Sequence, residues 1–140
     1  MRIGLLTGGG DCPGLNAVIR AVVRRAEMEY GDTILGFRNG WKGMAEGDIV
    51  DLSVDSTRGL VTRGGTILGT ARYHPHEHPD GTGMVFESFK RNRLDAVICI
   101  GGDGTLAAAG VLAAAGLPMV GVPKTIDNDV SGTDYSVGFD

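Results

Sequence analysis

Three turns of this chain carry residue types that could do chemistry together. Thr7-Gly8-Gly9-Gly10-Asp11-Cys12-Pro13-Gly14, Gly101-Gly102-Asp103-Gly104-Thr105 and Pro123-Lys124-Thr125-Ile126-Asp127-Asn128-Asp129 each follow a short apolar run. Glycines let backbone N–H groups approach an anion closely. Lys124 and Arg72 add positive charge, and Asp103, Asp127 and Asp129 add carboxylates. Phosphoryl transfer asks for such parts: donors and cations for the phosphate oxygens, a carboxylate for Mg²⁺, and a base on the acceptor side. Mg²⁺ itself is satisfied by one or two carboxylates completed by substrate phosphates and water. Each residue also has a plainer use, Asp103 as a helix cap and the Asp-Asn-Asp run as turn chemistry. The residue types alone do not say which carboxylate plays which part.

Other residues supply this set or stand apart from it. The segment from Arg63 to Arg72 is too rich in glycine for a central strand or a helix, and it delivers Arg72 to wherever it points. Trp41, between Gly40 and Gly43, reads equally as a core anchor and as a stacking surface for a base. His74, His76 and His78 alternate as a metal-binding loop could, but two prolines, flanking charges and Asp80-Gly81 favour an exposed loop.

The elements that must position these turns follow from periodicity. Ile3 to Leu6, Thr33 to Phe37, Ala96 to Ile100 and Met119 to Val122 are short apolar runs of the kind that form buried strands, and Ile49 to Leu52 adds another. Leu15, Ile19, Val22, Val23 and Ala26 repeat at helical spacing, and Val85, Phe86 and Phe89 give a second helix its core face. An alanine-rich helix is expected from about Leu106 to Ala115. Strands alternating with helices predict an α/β domain, a Rossmann-like three-layer fold with a mainly parallel sheet and helices on both faces. Right-handed crossovers then bring the glycine turns to one edge, where open α/β sheets bind ligands.

Composition excludes several classes. The length of 140 residues suits one domain with a real core, and a net charge of −4 gives no footprint for nucleic acid or an anionic membrane. No apolar run approaches a membrane span, no signal-peptide core follows Met1, and Cys12 and Cys99 lack metal-ligand spacing. The expectation is a cytoplasmic protein with reduced thiols.

The four motifs, Gly9 to Asn16, Gly64 to Arg72, Gly101 to Thr105 and Pro123 to Asp129, resemble in order those of the 6-phosphofructokinases. The tail from Gly132 to Asp140 does so too. The resemblance implies ATP and fructose 6-phosphate as substrates, Mg²⁺ as the metal, and a homo-oligomer, dimer or tetramer, in the full-length enzyme. It implies that Gly10 and Gly102, Asp103, Gly104 and Thr105 line the donor phosphates, with Asp103 holding Mg²⁺. Arg72 would touch the phosphoryl group in flight, with Tyr73 beside it. Asp127 would take the proton of the sugar hydroxyl, Thr125, Ile126 and Asp129 would support the substrate end, and Lys124 would serve the transferring phosphate. Trp41 falls where the family often has an aromatic near the base. Arg20 and Arg24 fall where members bind a regulatory phosphate. Members are much longer than this chain, which therefore resembles their amino-terminal domain, without the second, sugar-phosphate domain. Gly104 resembles the ATP-dependent branch and is expected to leave space open for the α-phosphate. Lys124 resembles the pyrophosphate-dependent branch, so the pattern is that of a mixed-substrate group. On Gly104 the expected donor is ATP; a pyrophosphate-dependent enzyme and an inactive nucleotide-binding fragment are the alternatives. Lipid and nicotinamide-nucleotide kinases share the Gly-Gly-Asp-Gly turn but lack the loop through Asp127 and the segment ending at Arg72.

Overall fold

The apolar runs become strands, and the segments between them carry the chain back across the sheet. The computed structural model describes residues 1–9, 14–59 and 65–124. Strands β1 (Arg2–Thr7), β2 (Thr33–Phe37), β3 (Ile49–Leu52), β4 (Ala96–Gly101) and β5 (Met119–Pro123) form one sheet in the order β3-β2-β1-β4-β5. β1 pairs in parallel with β2 and with β4, and β4 with β5; only β3 runs antiparallel, as an edge strand beside β2. The antiparallel hairpin follows from a connection too short for a crossover.

Alternation along the central strands sorts their side chains between two cores. On one face, Leu5, Ile34 and Ile100 meet Leu15, Ile19, Val23 and Ala26 of α1 (Leu15–Tyr30). On the other, Leu6, Leu35, Val97 and Cys99 meet residues of three helices, α2 (Gly40–Glu46), α3 (Gly81–Arg91) and α4 (Asp103–Ala114). The expected three-layer α/β arrangement is therefore present, with one helix on one face and three on the other among the described residues.

Two elements differ from the sequence reading. α2 occupies a stretch for which the sequence predicts no helix, two glycines in seven residues lowering helix propensity. Tertiary packing overrides that cost: Trp41, Met44 and Ala45 are buried, and a Cβ on Gly43 would collide with the carbonyl oxygen of Arg38. α4 begins at Asp103 and not near Leu106, so Asp103, Gly104 and Thr105 form its first turn. Gly102 is extended there, and its carbonyl accepts the first helical bond from Leu106 N–H at 2.9 Å.

Candidate active site

The strand order reverses between β1 and β4, and the two strands end side by side. Their pairing runs as far as Thr7 opposite Ile100, and the Gly8 N–H then donates to the Ile100 carbonyl at 2.8 Å. In open α/β sheets ligands bind in the crevice at such a switch point. Thr105 locks the two turns together. Its buried side chain fills the space that side chains at Gly8 and Gly101 would need, its Cβ and Cγ2 lying 2.6 and 2.7 Å from where a Gly101 Cβ would stand. Both glycines are therefore required by close approach. The Thr105 carbonyl in turn accepts the Trp41 indole N–H at 3.2 Å and the Cys99 thiol at 3.9 Å.

β5 contributes the cation. The Lys124 N–H donates to the Gly101 carbonyl at 2.7 Å, which continues the β4–β5 ladder past its last strand pair. The Lys124 side chain is only 4% exposed, and its Nζ lies 3.0 Å from the position a Cβ would take on Gly9. The ammonium thus reaches from the end of β5 to the turn after β1, in front of β4. Gly9 has φ +81°, a backbone conformation that favours glycine. Asp103 and Gly104 are exposed at the start of α4.

The segment before Arg72 is tied to three elements. Thr7 Oγ1 donates to the Gly69 carbonyl at 2.9 Å, and the Asn16 N–H donates to the Gly65 carbonyl at 2.9 Å. Asn16 Oδ1 accepts the Ile67 N–H at 2.8 Å, and the Leu68 carbonyl accepts the Asn39 N–H at 2.8 Å. Hydrogen bonds to the end of β1, the start of α1 and the start of α2 take the place of regular structure. Arg72 emerges from this frame exposed, with Tyr73 half-buried against the core beside α2–α4. Beneath the turns, burial pushes the Cys99 thiol up to about 12, so it is a protonated core group.

Residues 2–140 match the phosphofructokinase family. The chain belongs to that family. It is 56% identical over 140 residues to the ATP-dependent 6-phosphofructokinase 3 of Streptomyces coelicolor, covering all of this chain and 41% of that protein. It is 54% identical over 141 residues to the pyrophosphate–fructose 6-phosphate 1-phosphotransferase of the same organism, again covering all of this chain and 41% of that protein. The crystal structure of Pichia pastoris phosphofructokinase in the T-state superposes with a TM-score of 0.90 at 34% identity, covering 98% of this chain and 16% of that one. The chain spans about 41% of the length of the curated relatives it matches.

Of the phosphofructokinase motif residues, the structure brings together Gly102, Asp103, Gly104, Thr105 and Lys124, with Arg72 and Tyr73 on the neighbouring segment. Gly10, Thr125, Ile126, Asp127 and Asp129 lie outside the described residues, as do Cys12 and Arg63. Two expectations are corrected. Trp41 is not a stacking surface: it is 2% exposed, and its indole N–H is spent on the Thr105 carbonyl. Gly104 is exposed, but the direction its side chain would take is not empty, because a Cβ there would lie 2.9 Å from Cε1 and 3.0 Å from Nε2 of His74. His74 is a further residue at this site that its sequence context, which favours an exposed loop, does not single out. Pro75–Glu77 form a single 3₁₀ turn with Pro75 buried, packed against α2, α3 and α4. Among the described residues no three His, Cys, Asp or Glu side chains could together hold a metal ion.

Proposed function

We propose that these residues are the amino-terminal, donor-binding domain of a longer ATP-dependent 6-phosphofructokinase, which converts fructose 6-phosphate to fructose 1,6-bisphosphate in glycolysis. The observation that carries this reading is the convergence of the Gly8–Gly9 turn, the first turn of α4 and Lys124 Nζ at the β1/β4 switch point. Backbone N–H groups at the start of α4 point at a bound phosphate, and the Lys124 ammonium offsets its charge. Asp103, exposed in the first turn of α4, suits Mg²⁺ held by one carboxylate with the remaining positions filled by donor phosphates and water. The bound Mg²⁺ would neutralise charge on the donor's phosphate oxygens. Arg72 stabilises the phosphoryl group in transit, and Asp127 takes the proton from the 1-hydroxyl of the sugar. The working form is a cytoplasmic homo-oligomer.

A pyrophosphate donor is the second reading, and Lys124 favours it by placing an ammonium between two phosphate-binding turns. Relatives named for each donor stand two percentage points apart, 56% against 54%, which does not discriminate. The test is phosphorylation of fructose 6-phosphate by the longer protein with ATP and with pyrophosphate in parallel. ATP-driven turnover is expected. Turnover with pyrophosphate alone would replace the donor, and turnover with neither would overturn the reading.

A further inference from the structure

Position 104 has no side chain of its own, yet the space beside it is filled. The imidazole that fills it comes from 30 positions earlier in the chain, and its Cε1–Nε2 edge lies against the first turn of α4. The rest of the ring has neighbours of its own. His74 Nδ1 is 3.5 Å from Glu77 Oε1, and the imidazole lies nearly parallel to His76 at 6.2 Å between centroids. The backbone beneath it is fixed by Glu77 N–H donating to the His74 carbonyl at 3.0 Å and His78 N–H donating to the Pro75 carbonyl at 3.1 Å. Pro75 is itself clamped, since a side chain on Gly81 would collide with its carbonyl. With Nδ1 turned toward Glu77, Nε2 is the polar atom that His74 presents to the turn carrying Asp103 and Gly104.

We propose that His74 is a donor-contacting residue, and that position 104 acts on the donor through it. This rests on the reading of the α4 turn as the site for donor phosphates. A phosphate chain lying along Gly102–Thr105 meets the imidazole edge at Gly104, where a residue at 104 with a side chain would push that edge aside. Gly104 and His74 are then one device, a glycine that leaves room and an imidazole that takes it. Nothing of this is visible in the spacing of the motif, because His74 lies on a separate segment.

The test is a double-mutant cycle in the longer protein, with whichever of ATP and pyrophosphate it turns over faster. His74→Ala removes the imidazole, and Gly104→Ala displaces it. Each single change is expected to raise the donor KM by roughly 10- to 100-fold, the usual worth of a hydrogen bond to a charged group. The KM for fructose 6-phosphate should stay within about twofold, since the sugar binds elsewhere. The double variant should be no worse than His74→Ala alone, because the methyl group at 104 then has room. His74→Gln, which keeps a polar end at similar reach, should recover part of the donor KM. Thermal melting of each variant identifies a change that merely unfolds the domain, in which case His74→Gln and His74→Asn replace it in the cycle. Additive effects of positions 74 and 104, or an unchanged donor KM in His74→Ala, would overturn the proposal. Asp103→Asn serves as the control for the underlying reading. If it leaves donor use and its Mg²⁺ dependence intact, the donor site itself is misassigned; if it impairs them while 74 and 104 act additively, only the role of His74 fails.

Discussion

At the scale of single residues, the chemistry divides between groups that touch the reacting atoms and groups that hold them. Asp127 is expected to be the base, so Asp127→Ser in the longer protein should lower kcat by roughly 10²- to 10⁴-fold, with sugar-phosphate binding much less affected. Near-normal kcat would remove Asp127 from that role. Cys99 belongs to the second kind, a thiol with no exposure in the strand below the turns. It should resist alkylation at pH 8 in the folded protein and react once the chain is unfolded. Its raised pKa also has a sign in stability. Unfolding frees the thiol to ionise from its ordinary value of 9.0, whereas the fold keeps it protonated up to about 12. The stabilisation is full below pH 9 and is lost as pH rises from 9 towards 12, by about 1.4 kcal/mol per unit. Urea unfolding across that range, compared with Cys99→Ala, measures it. Parallel pH slopes in the two proteins would sink the assignment.

At the scale of elements, a helix that the sequence disguises holds the donor turn from behind. α2 carries Trp41 to the Thr105 carbonyl, and Thr105 wedges the β1 and β4 turns together. Trp41→Phe keeps most of the buried ring but leaves that carbonyl without the indole donor. A neutral hydrogen bond is worth about 1 kcal/mol, so the donor KM should rise roughly fivefold, with the sugar-phosphate KM unmoved. A lower melting temperature with an unchanged donor KM would make Trp41 a core anchor and nothing more. The strands were legible because β-branched runs bounded by glycine have few other uses in a soluble domain. α2 was not, because propensity argues against it and only the fit of Gly43 under Arg38 and of Trp41 in the core argues for it. The same limit concealed the 3₁₀ turn, whose prolines and histidines read as an exposed loop although Pro75 is buried.

At the scale of the whole molecule, the strand order makes the site by bringing the carboxyl ends of β1, β4 and β5 side by side at one edge. The resemblance puts the groups that grip the sugar phosphate beyond residue 140. The 140-residue chain by itself is therefore expected not to phosphorylate fructose 6-phosphate, while the longer protein does. Assay of both under the same conditions checks this, and turnover by the short chain would show that the donor domain needs no second half.

The sequence by itself determined the fold class and the family, because a parallel sheet needs buried apolar runs and its ligand edge needs glycine turns in a set order. It also identified Gly102 to Thr105, Arg72 and Lys124 as candidates, since residue type and local spacing carry that information. The tertiary structure alone decided what those residues face. Lys124 Nζ reaches the turn at Gly9, Trp41 turns inward to Thr105, and His74 occupies the space beside Gly104. Each contact joins segments about 30 or more positions apart. Such contacts arise from chain crossover and packing, and no local pattern of residues encodes them.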